Sequence, residues 1–268
     1  MLEGVRIVSV IDTAKWLEES CDPEEICRRL RVYFEPLNEY QIARYLSDYG
    51  MFNRHTPCSS TLSAFKKHGM WEFIKKEEAY LKNLWQGPDV SIFIFPCDVS
   101  NRKIQKEYKG KSGLAFKDKL FLFLSPDCNK KEVSAVFTHE YHHVCRLAKD
   151  RKDEEKYTIL DTMILEGLAE NAVRERFGEK YTASWTAFYT DTQLTSFWLK
   201  YFSENNTLDR SDKRFTKLMF GTGLYPKMLG YAVGYFTVKK YMEVTGKKTK
   251  DLLSVKSEEV IKEVFHKT

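Results

Sequence analysis

Residues 130–147 read KKEVSAVFTHEYHHVCRL and contain the pattern His-Glu-x-x-His at positions 139–143. Apolar residues recur here at helical spacing, which predicts an α-helix. Residues four apart are neighbours on a helix, so the imidazoles of His139 and His143 can reach one metal ion. Glu140 falls on the apolar stripe, where an ionised carboxylate is unfavourable unless a cation or donors meet it. The stripe consists of Val133, Val136, Phe137, Glu140, Val144 and Leu147.

The residue types in this pattern favour zinc chemistry. Zinc binds two neutral imidazole nitrogens and a carboxylate, and it keeps a fourth position for water. The ion lowers the pKa of that water toward about 7, and Glu140 is placed to accept its proton. Cobalt or manganese would also fit the ligand set. The alternative is an accidental histidine pair on a surface helix.

A third ligand has to come from elsewhere in the chain. One subclass continues as HExxHxxGxxH, but Arg146 and Lys149 occupy the last two positions of that pattern here. Glu166 and Glu170 lie among apolar residues of a second predicted helix. Glu166 on the metal and Glu170 on a ligand histidine would compensate for the burial of both carboxylates. The alternative is a surface pair that faces Arg174.

The rest of the chain predicts an α+β fold. Residues 1–88 form a helical N-terminal region, and residues 89–177 hold the sheet and both metal-binding helices. Residues 178–268 form a helical C-terminal subdomain that closes the cleft. β-Branched and aromatic runs predict a strand at 90–95 and a hairpin of 113–116 with 120–124. We therefore expect a small, mostly antiparallel sheet.

Composition excludes several classes of protein. The chain has 268 residues, 43% hydrophobic and 30% charged, which excludes disordered, collagen-like and disulfide-rich miniprotein chains. A net charge of +5 is too small to imply a polyanionic partner. The sequence has neither a secretory signal nor a run long enough for a membrane span. Six cysteines without a CxxC pair predict reduced thiols and a cytoplasmic location.

Three boxes carry a resemblance to a known family: HEYHH at 139–143, LEGLAE at 165–170 and GYAVGY at 230–235. They resemble the gluzincin metallopeptidases and, more narrowly, the YjaZ-like family of bacterial predicted zinc-dependent proteases. The opening VIDTAKW at 10–16 also fits that family. The resemblance implies a zincin-like fold and one Zn2+ per chain. It assigns zinc binding to His139, His143 and Glu166, base catalysis to Glu140, and support of a ligand histidine to Glu170.

The resemblance also implies a substrate strand and an oxyanion donor. Gluzincins pair an extended substrate with an edge strand upstream of the HExxH helix. The candidate strand consists of Gly113, Leu114, Ala115 and Phe116. Tyr231, on a helix expected to begin at Pro226, is the first candidate for the donor. Tyr225 and Tyr235 follow, whereas His142 points away from the ligand face.

The sequence therefore predicts a zinc metallopeptidase that acts on a peptide or protein substrate, without a nucleic-acid or membrane partner. The main alternative is a non-catalytic zinc-binding or chaperone-like interaction protein that retains the gluzincin ligands. A nucleic-acid binder that uses the lysine-rich stretches is the third hypothesis. Substrate sequence, exo- or endopeptidase action and oligomeric state stay open.

Overall fold

The structure, a computed structural model, describes residues 9–101, 110–150 and 152–265. It consists of two units, Met1–Val144 and Cys145–Thr268, and the boundary falls inside one long helix. The predicted division at residues 88 and 177 stays a prediction.

The N-terminal part of the first unit is helical, as the sequence indicates. Asp22 caps a helix by accepting a hydrogen bond from the Glu24 backbone N–H at 2.9 Å, and Pro23 is the first helical residue. Both residue types are typical of a helix start. The described helices of this part are α1 (Thr13–Glu19), α2 (Pro23–Leu30), a 3-10 turn (Arg31–Tyr33), α3 (Glu39–Asp48), α4 (Cys58–Lys67) and α5 (Met70–Trp85).

A three-stranded sheet follows in the order β1-β3-β2, with β1 (Ser91–Pro96), β2 (Lys111–Ala115) and β3 (Lys119–Leu124). The pair β2–β3 is antiparallel, which confirms the predicted hairpin. The pair β1–β3 is parallel, so the expectation of a mostly antiparallel sheet is wrong and the sheet is mixed. The reason is that β3 is buried along its whole length and takes the centre of the sheet, where it runs beside β1 in the same direction. Continuous apolar runs are typical of strands that are buried on both faces of a sheet.

One face of the sheet packs against the N-terminal helices. Phe93 and Phe121 stack with ring centroids 4.8 Å apart, and both belong to the core cluster that includes residues of α1 to α4. Helix α6 (Lys130–Lys149) follows β3. Its first fifteen residues belong to this unit and carry the HExxH pattern.

Two of the six cysteines are not thiols. Cys21, just after α1, and Cys58, at the start of α4, form a disulfide across 37 residues of sequence. The expectation of six reduced thiols is therefore wrong for this pair. Cys27, Cys97 and Cys145 are buried thiols. The spacing of the cysteines along the sequence does not indicate this disulfide, because the two bonded cysteines meet only when α1 and α4 pack together.

The described helices of the second unit are α7 (Ile159–Phe177), α8 (Asp191–Phe197), α9 (Lys213–Phe220), α10 (Leu229–Thr245) and α11 (Ser257–Phe265). Shorter 3-10 turns lie at Glu154–Lys156, Glu179–Tyr181, Ser184–Ala187 and Thr249–Leu252, and a π-helical turn at Trp198–Phe202. Within the described ranges, none of the helices is long and apolar enough to cross a membrane.

Helices α7 and α10 form the centre of the second unit. A Cβ atom placed on Gly167 would lie 2.3 Å from the Gly234 carbonyl oxygen, and one on Gly234 would lie 2.1 Å from the Met163 carbonyl oxygen. Such distances are far below van der Waals contact. The two backbones therefore touch, and only glycine fits at either position. The sequence predicted that α10 begins at Pro226, and the helix begins three residues later, at Leu229.

A buried arginine ties the last turn of α6 to the C-terminal segment. Arg146 is 2% exposed, and its guanidinium donates to the backbone carbonyls of Leu252 and Leu253 at 3.1 and 3.4 Å and of Val255 at 2.9 Å. Asp161, near the start of α7, accepts hydrogen bonds from Ser257 and Thr158 and from the ammonium of Lys152. These bonds hold residues 252–257 against both helix ends.

Candidate metal centre

The two histidines of the HExxH pattern approach each other closely. Their Nε2 atoms lie 3.0 Å apart, and their rings are perpendicular with centroids 4.6 Å apart. Two nitrogens bound tetrahedrally to one zinc ion at about 2.0–2.1 Å lie about 3.3 Å from each other. The observed separation is within a few tenths of that value, so this pair suits a single small cation.

Glu166 supplies the third potential ligand. His139, His143 and Glu166 each offer one ligand atom, and these atoms all lie within 4.8 Å of one another. Two imidazole nitrogens and one carboxylate oxygen are a donor set that zinc favours, and three protein ligands leave a position for water. The three residues could therefore hold a metal ion. These are the three ligands that the sequence predicts.

Glu140 lies against the sheet. Its side chain is 8% exposed, and a Cβ atom added to Gly113 would lie 2.2 Å from Glu140 Cγ and 2.7 Å from Oε1. The missing side chain of Gly113 thus provides the space in which the carboxylate sits. The sequence named both residues, but it gave no indication that they touch.

Strand β2 is the outer strand of the described sheet. The Phe116 N–H donates to the Lys119 carbonyl, and the Ser125 N–H donates to the Gly110 carbonyl, both at 2.8 Å. Antiparallel pairing alternates, so the backbone N–H and C=O groups of Gly113 and Ala115 point away from β3. The predicted strand Gly113–Phe116 corresponds to β2, with Phe116 as the first residue beyond it. Glu140 lies beside this strand, against the face of Gly113.

The opposite side of α6 packs in the core. The Tyr141 hydroxyl donates to the Pro88 carbonyl at 2.8 Å, and its ring stacks on Trp85. His142 is fully buried, with its ring edge-on to Trp85 at 5.1 Å. These contacts fix the rotation of the helix that carries His139 and His143.

Other predicted residues have defined surroundings, but their roles stay predictions. Glu170 is 4% exposed, and its Oε1 accepts a hydrogen bond from the Ala183 N–H at 2.5 Å. Tyr231 lies between Trp185 and Phe220, with ring centroids 5.5 and 5.4 Å away. Tyr225 packs on the ring of Tyr201 at 5.6 Å.

Asn171 is a buried residue that the sequence analysis did not single out. Its Nδ2 donates to the carbonyls of Gly167 and Tyr235 at 2.8 and 3.0 Å, and its Oδ1 accepts from Arg174 Nε at 3.0 Å. The signal available was an amide on an otherwise apolar helix face, where a polar side chain needs partners. Asn171 bridges α7 and α10 and orients Arg174.

Comparison with known proteins gives one family and two relatives. The family described as "Predicted Zn-dependent protease (DUF2268)" matches residues 70–262, which include the whole metal group. The chain is 46% identical to the uncharacterized protein YjaZ of Bacillus subtilis (strain 168) over 254 residues, 94% of this chain and 97% of that protein. It is 26% identical to the uncharacterized protein YjfC of the same organism over 168 residues, 58% of this chain and 54% of that protein. No solved structure matches the chain significantly.

Proposed function

The chain belongs to the family of predicted Zn-dependent proteases, and from this premise we propose that it is a zinc-dependent metallopeptidase with one zinc ion per chain. The observation that carries the proposal is the pair of Nε2 atoms 3.0 Å apart, on the same helix as a buried glutamate that faces an outer strand. His139 and His143 would hold the ion, with Glu166 as the third ligand.

Each residue has a role in this proposal. When bound, zinc supplies a Lewis acid that polarises the scissile carbonyl and lowers the pKa of water. Glu140 accepts a proton from the attacking water and passes it to the leaving amine. Tyr231 donates a hydrogen bond to the developing oxyanion, a contribution worth about 2.7–4 kcal/mol of barrier for one donor. Glu170 orients a ligand histidine.

The outer strand would hold the substrate. An extended peptide that adds to β2 forms main-chain hydrogen bonds with Gly113 and Ala115, whose polar groups face outward. Glu140 lies directly beside Gly113. The scissile bond of a peptide paired with this strand would therefore lie near the base.

The test compares the wild-type protein with Glu140→Gln on a peptide library, with zinc content measured by elemental analysis. Both proteins should contain one equivalent of zinc, and only the wild type should cleave peptides. His139→Ala should lose the metal and the activity together. Equal cleavage by the wild type and Glu140→Gln would reject this mechanism. Stabilisation by zinc without hydrolysis would instead indicate a non-catalytic zinc protein.

We also propose a cytoplasmic location, and peptide substrates rather than nucleic-acid or membrane partners. The four cysteines that remain thiols support this location, whereas the Cys21–Cys58 bond is of a kind that cytosolic proteins rarely keep. Fractionation of the native host, with a cytosolic marker protein as reference, should recover the protein in the cytoplasmic fraction. Recovery outside that fraction would contradict the location.

A further inference from the structure

Arg174 presents an open guanidinium fork. Its Nε donates to Asn171 Oδ1 at 3.0 Å. Among the residues that the structure describes, Nη1 and Nη2 have no hydrogen-bond acceptor and no ion-pair partner. Because Asn171 is fully buried and also bonded to two carbonyls, the guanidinium plane is held at its Nε edge while its terminal nitrogens stay available. Such a fork matches the two oxygens of a carboxylate.

Tyr235 provides a second donor nearby. The residue is 5% exposed, yet its hydroxyl makes no hydrogen bond within the ranges 9–101, 110–150 and 152–265. Burial raises the pKa of Tyr235 to about 12, while the Arg174 charge acts in the opposite direction. The hydroxyl therefore stays protonated and can donate. Asn171 links the two residues, since it bonds the Arg174 side chain and the Tyr235 carbonyl.

Nearby acids have other partners. Glu179 Oε1 lies 3.0 Å from Lys239 Nζ, and that ammonium lowers the pKa of Glu179. Glu170 accepts the Ala183 N–H. Among the described residues, Glu179 pairs with Lys239 and makes no ion pair with Arg174, so these two charges interact only at longer range. A third, external carboxylate would complete the site.

The spacing along the two helices relates this site to the proposed chemistry. Arg174 follows Glu166 by eight residues on α7, a rise of about 12 Å, and Tyr235 follows Tyr231 by one turn on α10. Both helices advance in the same direction, because Gly234 touches Gly167 and Lys239 reaches Glu179 beyond the end of α7. An extended chain rises about 3.3 Å per residue. A distance of about 12 Å therefore corresponds to roughly two to four residues once the reach of the arginine side chain is included.

We propose that Arg174 and Tyr235 bind the C-terminal carboxylate of the substrate, so that the enzyme removes short segments of two to four residues from peptide C-termini. The length of the segment rests on the proposed function, whereas the carboxylate site does not. Asn171 is the positioning residue that aims the fork.

The test measures binding separately from hydrolysis. The zinc-loaded Glu140→Gln protein is titrated into an N-terminally fluorescein-labelled apolar hexapeptide, either as the free acid or as the C-terminal amide, and fluorescence anisotropy gives Kd. The acid should bind at least tenfold more tightly than the amide. Adding Arg174→Gln should bring the ratio of the two Kd values close to one. Adding Arg174→Lys instead should retain part of the preference for the free acid. Tyr235→Phe should reduce the ratio about threefold or more.

A matched control is Arg210→Gln, which removes an exposed arginine of the same unit that pairs with Glu154. It should leave the ratio unchanged. A third peptide, amidated but ending in glutamate, separates a side-chain carboxylate from a terminal one. Equal binding of this peptide and the free acid would overturn the C-terminal assignment. A ratio near one before Arg174 is changed, or no binding of the free acid, would overturn the carboxylate site itself.

Cleavage by the wild-type protein completes the test. Mass spectrometry of digested free-acid peptides should show released fragments of two to four residues and slow cleavage of the amides. Cleavage of both forms at the same rate would refute the anchor and leave the proposed function standing. Selective binding of the acid without any cleavage would refute the proposed function and leave the carboxylate site standing.

Discussion

Gly113→Ala is the substitution that most directly tests the position of the proposed base. The new Cβ would lie 2.2 Å from Glu140 Cγ and 2.6 Å from Cδ. Ordinary carbon contacts begin at about 3.4 Å, so the two groups must separate by about 1.2 Å. Cγ moves only by rotation about the Cα–Cβ bond or with the helix backbone, and the carboxylate moves with it. The carboxylate therefore has to leave the position that it occupies in the wild-type protein.

A shift of this size should affect the rate more than the stability. A misplacement of about 1 Å can reduce the rate about 100-fold, whereas overpacking of one methyl group costs typically 1–3 kcal/mol of folding free energy. We expect kcat/KM of Gly113→Ala to fall about 100-fold, with zinc content unchanged because the proposed ligands lie elsewhere. The measurements are peptide cleavage, elemental analysis and thermal unfolding on the same preparations.

The control is Lys117→Ala, in the exposed turn of the same hairpin, which should retain activity within a factor of about two. Wild-type kcat/KM in a folded, zinc-loaded Gly113→Ala protein would refute the reasoning. It would mean that the carboxylate does not need its observed position.

Three further predictions concern the second unit. Arg146→Met should lower the free energy of unfolding by about 2–4 kcal/mol in urea titration, because the buried carbonyls of residues 252–255 lose their donor; an unchanged midpoint would contradict this. Burial alone would raise the pKa of Asp161, but the hydrogen bonds that its carboxylate accepts lower this pKa below its ordinary value. Its carboxylate therefore stabilises the fold above the unfolded pKa of about 3.9 and loses this effect as pH falls through the folded value. Asp161→Asn should thus be less stable than wild type at pH 7, and thermal unfolding should show the gap closing below about pH 4. Gly167→Ala should destabilise by about 2 kcal/mol or more in chemical unfolding, because its Cβ would overlap the Gly234 carbonyl; a neutral result would disprove the close contact.

Local features of the fold were predictable from the sequence. The start of α2 depends on the Asp22 cap and on Pro23. The β2–β3 hairpin depends on two adjacent apolar runs that are joined by a short polar turn. The histidine pair was equally accessible, since residues four apart on a helix always meet. Each of these features is decided by residues within a few positions of one another.

Features that depend on distant pairing were not predictable. The parallel pairing of β1 with β3 results from which strand takes the centre of the sheet, and no turn residue encodes that choice. The Cys21–Cys58 bond requires α1 and α4 to pack together. The contact of Gly113 with Glu140 joins residues that are far apart in sequence, so the glycine looked like an ordinary strand residue.

Two glycines stand next to the two carboxylates on which the proposed chemistry depends. Gly113 leaves room for Glu140, and Gly167 follows Glu166 in sequence and lets α10 touch the backbone of α7. The contact at Gly167 joins two backbones, where no rotamer can change to absorb a new atom, whereas at Gly113 the Glu140 side chain itself has to move. The position of each carboxylate therefore depends on a neighbouring glycine. It follows that substitutions in the remaining core should mainly change stability. A methyl group at position 113 or 167 should also change the rate of cleavage. Of these two changes, only the one at position 167, next to Glu166, should change the affinity for zinc.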